Sequence, residues 1–459
     1  MTTQTADSSS TATEISLIDA LRMAVEIQQA RQYDAAETLY QRILQVAPRQ
    51  PDALHLLGML HHQTGRSDEG IKLIEQAITI EPSFAGYQNN LGNIHAIHGR
   101  VSEATRAYER ALELAPDDAD LHNNLGALYK NARRFDEARA CYERAIELDS
   151  RHINALNNMG LLYAELGARP QAIRYYVQSL ELMPGNSSAR KLLGTTYYAL
   201  GRIADAAEVY RQWLEIEPDQ PVARHHYAAC TGQNVPDRAA DEYVEQTFDR
   251  FAESFEATLN ERLHYQAPQL CVDLLAEIMP APLRQYAVLD AGCGTGLCGP
   301  LLAPWSQTLA GVDLSRGMLD LAQTKGVYQD LYKAELGEFL QLSPAQWDVI
   351  VSADTLCYFG DLQPVMRTAA ESLRPGGTLV FTVEALEGAG TVQPGPDQAG
   401  TFHIQPHGRY AHAGAYLADA LGQAGLQVLA LRDAVLRQEG GKPVQGWLVA
   451  ARRPGRATA

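Results

Sequence analysis

Residues 288–296 read Val-Leu-Asp-Ala-Gly-Cys-Gly-Thr-Gly, and Ala-Gly-Val-Asp-Leu-Ser follows at 310–315. The apolar run ending in Asp290 predicts a buried parallel strand over 286–290, and the glycine-dense turn then opens a helix at Leu297. Gly292, Gly294 and Gly296 let the backbone approach a ligand closely, with amide groups and the helix N-terminus facing its polar end. About 20 residues further on, an acid at the tip of the second strand, here Asp313, is placed for ribose hydroxyls. A nucleoside cofactor is the first expectation. A tight strand-to-helix turn without a ligand is the alternative.

A dinucleotide fingerprint of the form Gly-x-Gly-x-x-Gly would need glycine at 297, where Leu297 stands. The pattern Asp-x-Gly-x-Gly-x-Gly, from Asp290 to Gly296, resembles motif I of the class I S-adenosylmethionine-dependent methyltransferases. Together with Asp313 between two apolar strands, it is a specific combination.

The chain has 459 residues, 46% of them hydrophobic, and a formal net charge of −17. Its length predicts two or three units. The acidic balance argues against a nucleic-acid groove, which needs clustered Lys and Arg. Six cysteines form no Cys-x-x-Cys pair, so reduced thiols in a cytoplasmic setting are expected rather than a zinc or disulfide framework. No long apolar run predicts a membrane span. The Ser/Thr-rich start, 1–15, reads as a disordered leader.

Gly58, Gly92, Gly126, Gly160 and Gly194 recur every 34 residues. Pro82, Pro116, Pro184 and Pro218 keep the same frame, with Ser150 in the missing slot. Ala104, Ala138, Ala172 and Ala206, and Tyr108, Tyr142, Tyr176 and Tyr210, repeat in step. The spacing resembles the tetratricopeptide repeat, a helix-turn-helix unit that buries its apolar face only by stacking on its neighbours. Five clear units run from Pro51 to Gln220, a divergent one starts near Leu17, and a capping helix begins near Pro221. The resemblance implies an α-solenoid over 16–232 whose concave groove takes a protein or peptide. Asn89, Asn123 and Asn157 occupy the fifth position of successive first helices, and Asn90, Asn124 and Asn158 the sixth. Stacked carboxamides can hold an extended peptide backbone; asparagine at position six also belongs to the general repeat pattern, so a structural role stays open. His61-His62 and His225-His226 are adjacent on helices and do not share a face, which favours solvated or packing roles over a metal site.

Cys230-Thr-Gly-Gln-Asn-Val-Pro-Asp marks a turn-rich boundary, and 233–455 forms the second domain. Phe248, Phe251 and Phe255 predict a helix that either covers the cofactor pocket or packs on a sheet. Strands and helices then alternate, with strands near 308–313, 347–353 and 378–384, helices near 315–324, 361–374 and 412–424, and final strands near 426–436 and 444–452. The pattern predicts a parallel sheet covered on both faces. It resembles the Rossmann-like, seven-stranded class I methyltransferase domain, closed by an antiparallel hairpin. The whole chain thus reads as α plus α/β, similar to bacterial predicted methyltransferases containing tetratricopeptide repeats. Its catalytic half is most like small-molecule enzymes acting on quinones or biotin precursors.

That resemblance implies S-adenosylmethionine as cofactor. Asp290, Gly292, Cys293, Gly294 and Gly296 would hold its methionine end, Asp313 the ribose, and Leu314 and Met318 the adenine ring. Glu335 stands where an aspartate often meets the adenine amino group. Ala353 and Asp354 would line the methyl-bearing side. The amino-methyltransferase Asn/Asp-Pro-Pro-Tyr/Phe element and the Pro-Cys nucleophile of cytosine-5 enzymes are missing, which also argues against a nucleic-acid substrate. Before the last helix, His403, Gln405, His407, Arg409, Tyr410 and His412 suggest a polar lid after the Gly/Pro-rich stretch 387–400. His403, His407 or Tyr410 is a candidate catalytic group there, Arg409 a partner for a substrate carboxylate, and solvated loop residues are the alternative. No carboxylate joins the three histidines in sequence, so no metal is expected. The leading expectation is a methyltransferase whose repeats recruit a protein substrate or partner. A cofactor-binding scaffold without catalysis, and a small-molecule enzyme whose repeats mediate association, are the competing readings.

Overall fold

The computed structural model describes residues 15–249, 264–279, 284–386, 401–439 and 441–455. The chain forms two compact units, 1–189 and 190–459. The predicted leader falls outside the described residues, apart from Ile15. So do Phe251, Phe255 and the Gly/Pro-rich stretch after Leu386.

The first unit is built from helix pairs. They are α1 (Leu17–Gln29) with α2 (Tyr33–Val46), α3 (Pro51–Gln63) with α4 (Ser67–Ile80), α5 (Ala85–Ile97) with α6 (Val101–Leu114), α7 (Ala119–Asn131) with α8 (Phe135–Leu148), and α9 (Ile153–Glu165) with α10 (Arg169–Leu182). The repeating glycine and tyrosine have one physical cause. A Cβ on Gly126 would lie 2.7 Å from Cε1 of Tyr142, and one on Gly160 2.4 Å from Cε1 of Tyr176. The absent side chain is the space the ring occupies, and both rings are fully buried. Gly58 departs from this pattern: Ile74 replaces the tyrosine, Gly70 replaces the alanine, and the two backbones meet directly.

The second unit opens with the rest of α11 (Ser187–Ala199), then α12 (Ile203–Ile216) and α13 (Pro221–Thr231). A further helix, α14, covers 241–249, and α15 (Ala267–Ile278) precedes the sheet. Strands β1 (Tyr286–Ala291), β2 (Ser306–Asp313), β3 (Asp330–Lys333), β4 (Trp347–Ser352) and β5 (Leu373–Ala385) pair in parallel in the order β3-β2-β1-β4-β5. A long antiparallel hairpin, β8 (Gln427–Glu439) and β9 (Lys442–Arg452), closes the other edge of β5. Among the described residues the sheet counts nine strands, where seven were expected. The additional pair is a small hairpin, β6 (Phe402–Ile404) and β7 (Tyr410–His412), paired onto Glu384 and Ala385 where β5 outruns β4.

Alternation along the strands sends Val288, Leu309, Val349 and Val380 towards α15, α16 (Gly299–Leu302) and α17 (Arg316–Thr324). Leu289, Val312, Ile350 and Phe381 face α18 (Leu336–Gln341), α19 (Gln363–Ser372) and α20 (Gly414–Gln423). Both faces are therefore dry, as a parallel sheet requires. The helix after the glycine loop starts at Gly299 rather than Leu297 and is only four residues long, so the loop itself, not a helix dipole, shapes that end of the sheet. The six cysteines carry no disulfide. No described helix is long and apolar enough to cross a membrane.

Candidate functional site

At the carboxyl ends of β1, β2 and β4, a cavity of about 940 Å³, open solvent at its mouth included, is bounded by the glycine loop, Asp313, Leu314, Met318, Glu335, Ala353 and Asp354. Switch points of open α/β sheets are where such folds take ligands. The loop is wound tightly: Gly292, Gly294 and Gly296 all have positive φ, at 75°, 52° and 82°. A Cβ on Gly292 would lie 2.1 Å from the Thr355 hydroxyl oxygen, so only glycine fits there without displacing a wall of the cavity.

Asp313 organises the loop as well as facing the cavity. Its two carboxylate oxygens accept from the Gly294 and Ser315 N–H groups, each at 2.9 Å. Burial raises its pKa while these backbone donors pull it back. Each oxygen keeps a second lone pair for a hydroxyl donor. Cys293, Gly294, Thr295, Leu297 and Cys298 complete the loop's wall. The Thr295 hydroxyl is buried against the cavity without a hydrogen-bond partner, an unusual state for a polar group unless a ligand meets it.

Asp290 and Gly296 do not border the cavity. Asp290 sits beneath the loop, fully buried, accepting from the Tyr328 hydroxyl at 2.6 Å. Burial pushes its pKa up to about 7, the Tyr328 hydrogen bond opposing this and the Asp313 charge adding to it. Gly296 gives room to Tyr328 and Ala322. Both residues support the loop from behind. Glu335 does border the cavity, but one of its oxygens caps α18 by accepting from the Glu338 N–H at 2.8 Å.

Helix α14 supplies the opposite wall through Val244 and Phe248, beside Arg238 and Ala239. Phe248 packs edge-on to Tyr358 at 5.5 Å between ring centroids, and Asp249 accepts from the Ser315 hydroxyl at 2.5 Å. Tyr265, Tyr358 and Phe359 make this side of the cavity aromatic.

The suggested substrate-side cluster lies elsewhere. His403, His407, Arg409 and Tyr410 are not among the cavity's lining residues. Tyr410 donates to the Pro236 carbonyl at 2.7 Å, and His403 is buried within β6. Arg409 is held between Glu384 and Glu439, at 2.6 Å each, so its guanidinium already has its carboxylates. His407 lies 3.4 Å from Glu384, and burial takes its pKa down to about 4. His412 pairs with the Gly360 carbonyl at 3.1 Å. Sequence gave no sign that these residues form a sheet hairpin, because its strands are only three residues each. Among the described residues, no group of three or more His, Cys, Asp or Glu is placed to hold a metal ion.

His225 and His226 pack rather than bind. His225 stacks on Tyr243 at 3.9 Å and reaches the Gly408 carbonyl at 2.7 Å, while His226 stacks on Tyr210 at 5.1 Å. In the first unit, Asn124 donates to the Asn89 carbonyl at 3.0 Å and Asn158 to that of Asn123 at 2.9 Å. The carboxamides thus bond to one another along the repeat. The Asn157 carbonyl is buried without a partner.

Residues 263–431 match a family model described as a methyltransferase domain. Residues 28–92, 117–185 and 163–230 match tetratricopeptide-repeat models, and 92–132 a TPR repeat model. Tetratricopeptide repeats and a methyltransferase domain are both present. Human "Methyltransferase-like protein 27" is 39% identical over 166 residues, covering 35% of this chain and 64% of the relative. The "Malonyl-[acyl-carrier protein] O-methyltransferase" of Priestia megaterium is 32% identical over 28% of this chain and 43% of its own length. A "Ubiquinone biosynthesis O-methyltransferase" of Coxiella burnetii is 33% identical over 22% and 44%. The chain spans less than two thirds of each of these relatives.

Proposed function

We propose that the chain is an S-adenosylmethionine-dependent methyltransferase whose repeat array recruits a protein, either the substrate or a partner that localises the enzyme. The observation that carries this reading is the convergence of the positive-φ glycine loop, Asp313 and the orphaned Thr295 hydroxyl on one cavity. Those features suit a ligand with a polar amino-acid end and a ribose. Gly292 to Gly294 and Thr295 would hold the amino-acid end, Asp313 the ribose, and Leu314, Met318 and Glu335 the base. When bound, the cofactor supplies a methyl group on a sulfonium leaving group. The protein's work is then to orient the acceptor and keep water out. Phe248, Tyr265 and Tyr358 supply the dry wall.

Asp313→Asn keeps one acceptor for the loop amides but removes the charge and one acceptor for a diol. Calorimetry with S-adenosylmethionine should show affinity reduced at least tenfold in a chain that still melts cooperatively, at a somewhat lower temperature because one loop N–H loses its acceptor; unaltered affinity would sink the ribose assignment. Transfer of labelled methyl from cofactor into fractionated extract then separates the readings. Label in protein supports a protein acceptor. Label in small molecules, or label freed from protein by thioester cleavage, supports a quinone-like or carrier-bound acceptor, the reading favoured by the names of two relatives. Binding without any transfer points to a scaffold.

A further inference from the structure

A cluster of buried and part-buried charges in the second unit reaches the cavity through Asp354. Arg437, on β8, is nearly inaccessible and contacts three carboxylates: Asp354 at 2.6 Å, Glu439 at 2.8 Å, and Glu384. Arg409 bridges Glu384 and Glu439 from the β6–β7 turn. Two guanidiniums thus face three carboxylates, and His407, with its lowered pKa, adds no charge near neutrality. Among the described residues one negative charge is in excess, and of the three acids Asp354 borders the cavity.

Asp354 is also the strained member. It has φ of 55°, in the left-handed region that a non-glycine residue avoids. Its N–H donates to the Thr382 hydroxyl at 2.9 Å, and its second carboxylate oxygen is 3.5 Å from the same hydroxyl. Six other described non-glycine residues share this region, Arg31 and Arg133 among them, so the φ marks a fixed backbone and the charge contacts are what single out Asp354. Here Arg437, itself fixed by Glu384 and Glu439, supplies the restraint.

We propose that Asp354 is a catalytic residue of the reading above: it accepts the proton of a hydroxyl or amine acceptor, with Arg437 as its positioning residue. The proposal rests on the methyltransferase reading. The acceptor oxygen or nitrogen forms its bond to the methyl carbon, and the carbon–sulfur bond breaks with its electron pair left on sulfur. The acceptor's proton passes to Asp354 and then to solvent. A carboxylate acceptor has no proton to give and would meet the excess negative charge, so this site selects against methyl-ester formation.

The other groups facing Asp354 agree. Glu384 and Glu439 are held below the usual carboxylate range by the two arginines, Glu384 down to about 2, once burial is offset. Burial raises Asp354 instead, against the pull of Arg437. Tyr265, Cys271 and Cys357 are pushed upward by burial and by the Asp354 charge, and stay neutral. The proton therefore has one destination among them.

The full-length chain, Asp354→Asn and Arg437→Lys are compared in three measurements: calorimetric affinity for S-adenosylmethionine, labelled methyl transfer into cell extract, and release of that label by mild base. Expected for Asp354→Asn is donor affinity within about twofold and transfer reduced at least a hundredfold, in the usual range for a lost general base. Arg437→Lys should fall in between and shift the acid limb of the pH–rate profile, which a purely structural role would not do. The wild-type label should resist base, and hydrolysis then distinguishes N-methyl from O-methyl products. Base-labile label, meaning a methyl ester, or full transfer by Asp354→Asn, overturns the inference while leaving the methyltransferase reading intact. A wild-type chain that binds the donor but labels nothing overturns both.

Discussion

In the repeat unit a polar side chain finds its partner one repeat away: Asn124 reaches Asn89, and Asn158 reaches Asn123. In the sheet unit Arg437 reaches back 83 residues to Asp354. Charges divide the same way. In the first unit Arg139 with Asp136 and Arg144 with Glu147 are exposed ion pairs one helical turn apart, of a kind worth little. Arg437, Glu384 and the part-buried Asp354 converge from β8, β5 and the loop after β4. An array grows by copying a unit, so its contacts are local in the frame and its surface is expendable. A site on a sheet edge collects single residues from distant strands, and each has no substitute.

The largest effects should come from glycines, and they should differ in kind between the two units. Gly292→Ala forces a Cβ towards Thr355 in a positive-φ residue. S-adenosylmethionine affinity should fall at least a hundredfold, about 3 kcal/mol, as read by calorimetry. Gly160→Ala puts a Cβ against the Tyr176 ring and should cost about 2 kcal/mol of stability with donor affinity unchanged. Loss of donor binding in Gly160→Ala, or none in Gly292→Ala, would break the separation.

That separation explains what could be read from the chain. The array was legible because each constraint recurs: the glycine at 92, 126, 160 and 194 is four statements of one steric fact, and Gly58 keeps the same frame with Ile74 opposite it. The glycine loop and Asp313 were legible because the motif is compact. The pairing of Arg437 with Asp354, and of Arg409 with Glu384, was not. Those residues carry no shared period, and their contact exists only once β4, β5, β8 and the β6–β7 turn meet. In sequence Arg409 reads as an arginine in a polar loop; in the fold it serves as an internal counter-ion to Glu384 and Glu439.

Asp290 sharpens the contrast at intermediate size. Its pKa in the folded chain is about 7, above the ordinary 3.8. A raised carboxyl pKa makes the folded state bind a proton that the unfolded state has released, so its contribution is fully present below about pH 4 and is lost as pH rises through about 7. Between about pH 5 and 7.5 the wild type should lose roughly 2–3 kcal/mol through this group. Denaturant titrations of Asp290→Asn should show that slope removed. An unchanged slope would mean that Asp290 is already ionised in the fold.

The smallest effect tests the array against itself. Tyr108, Tyr142 and Tyr176 occupy one position in three repeats, yet only the Tyr108 hydroxyl has a partner, Asn93, at 2.7 Å. The frame offers Ala127 and Leu161 instead to the others, and the Tyr142 and Tyr176 hydroxyls are buried with no hydrogen bond. Removing one half of a satisfied pair costs about 1–3 kcal/mol when it orphans a buried group, whereas removing an orphan restores what its desolvation took. Tyr108→Phe should therefore destabilise by about 1 kcal/mol, since Asn93 remains only part-buried and can turn to water. Tyr142→Phe and Tyr176→Phe should be neutral or stabilising by a similar amount. Thermal melts of the three variants decide it: equal losses would show that the hydroxyls are equally satisfied and that the repeats are truer copies than their side chains indicate.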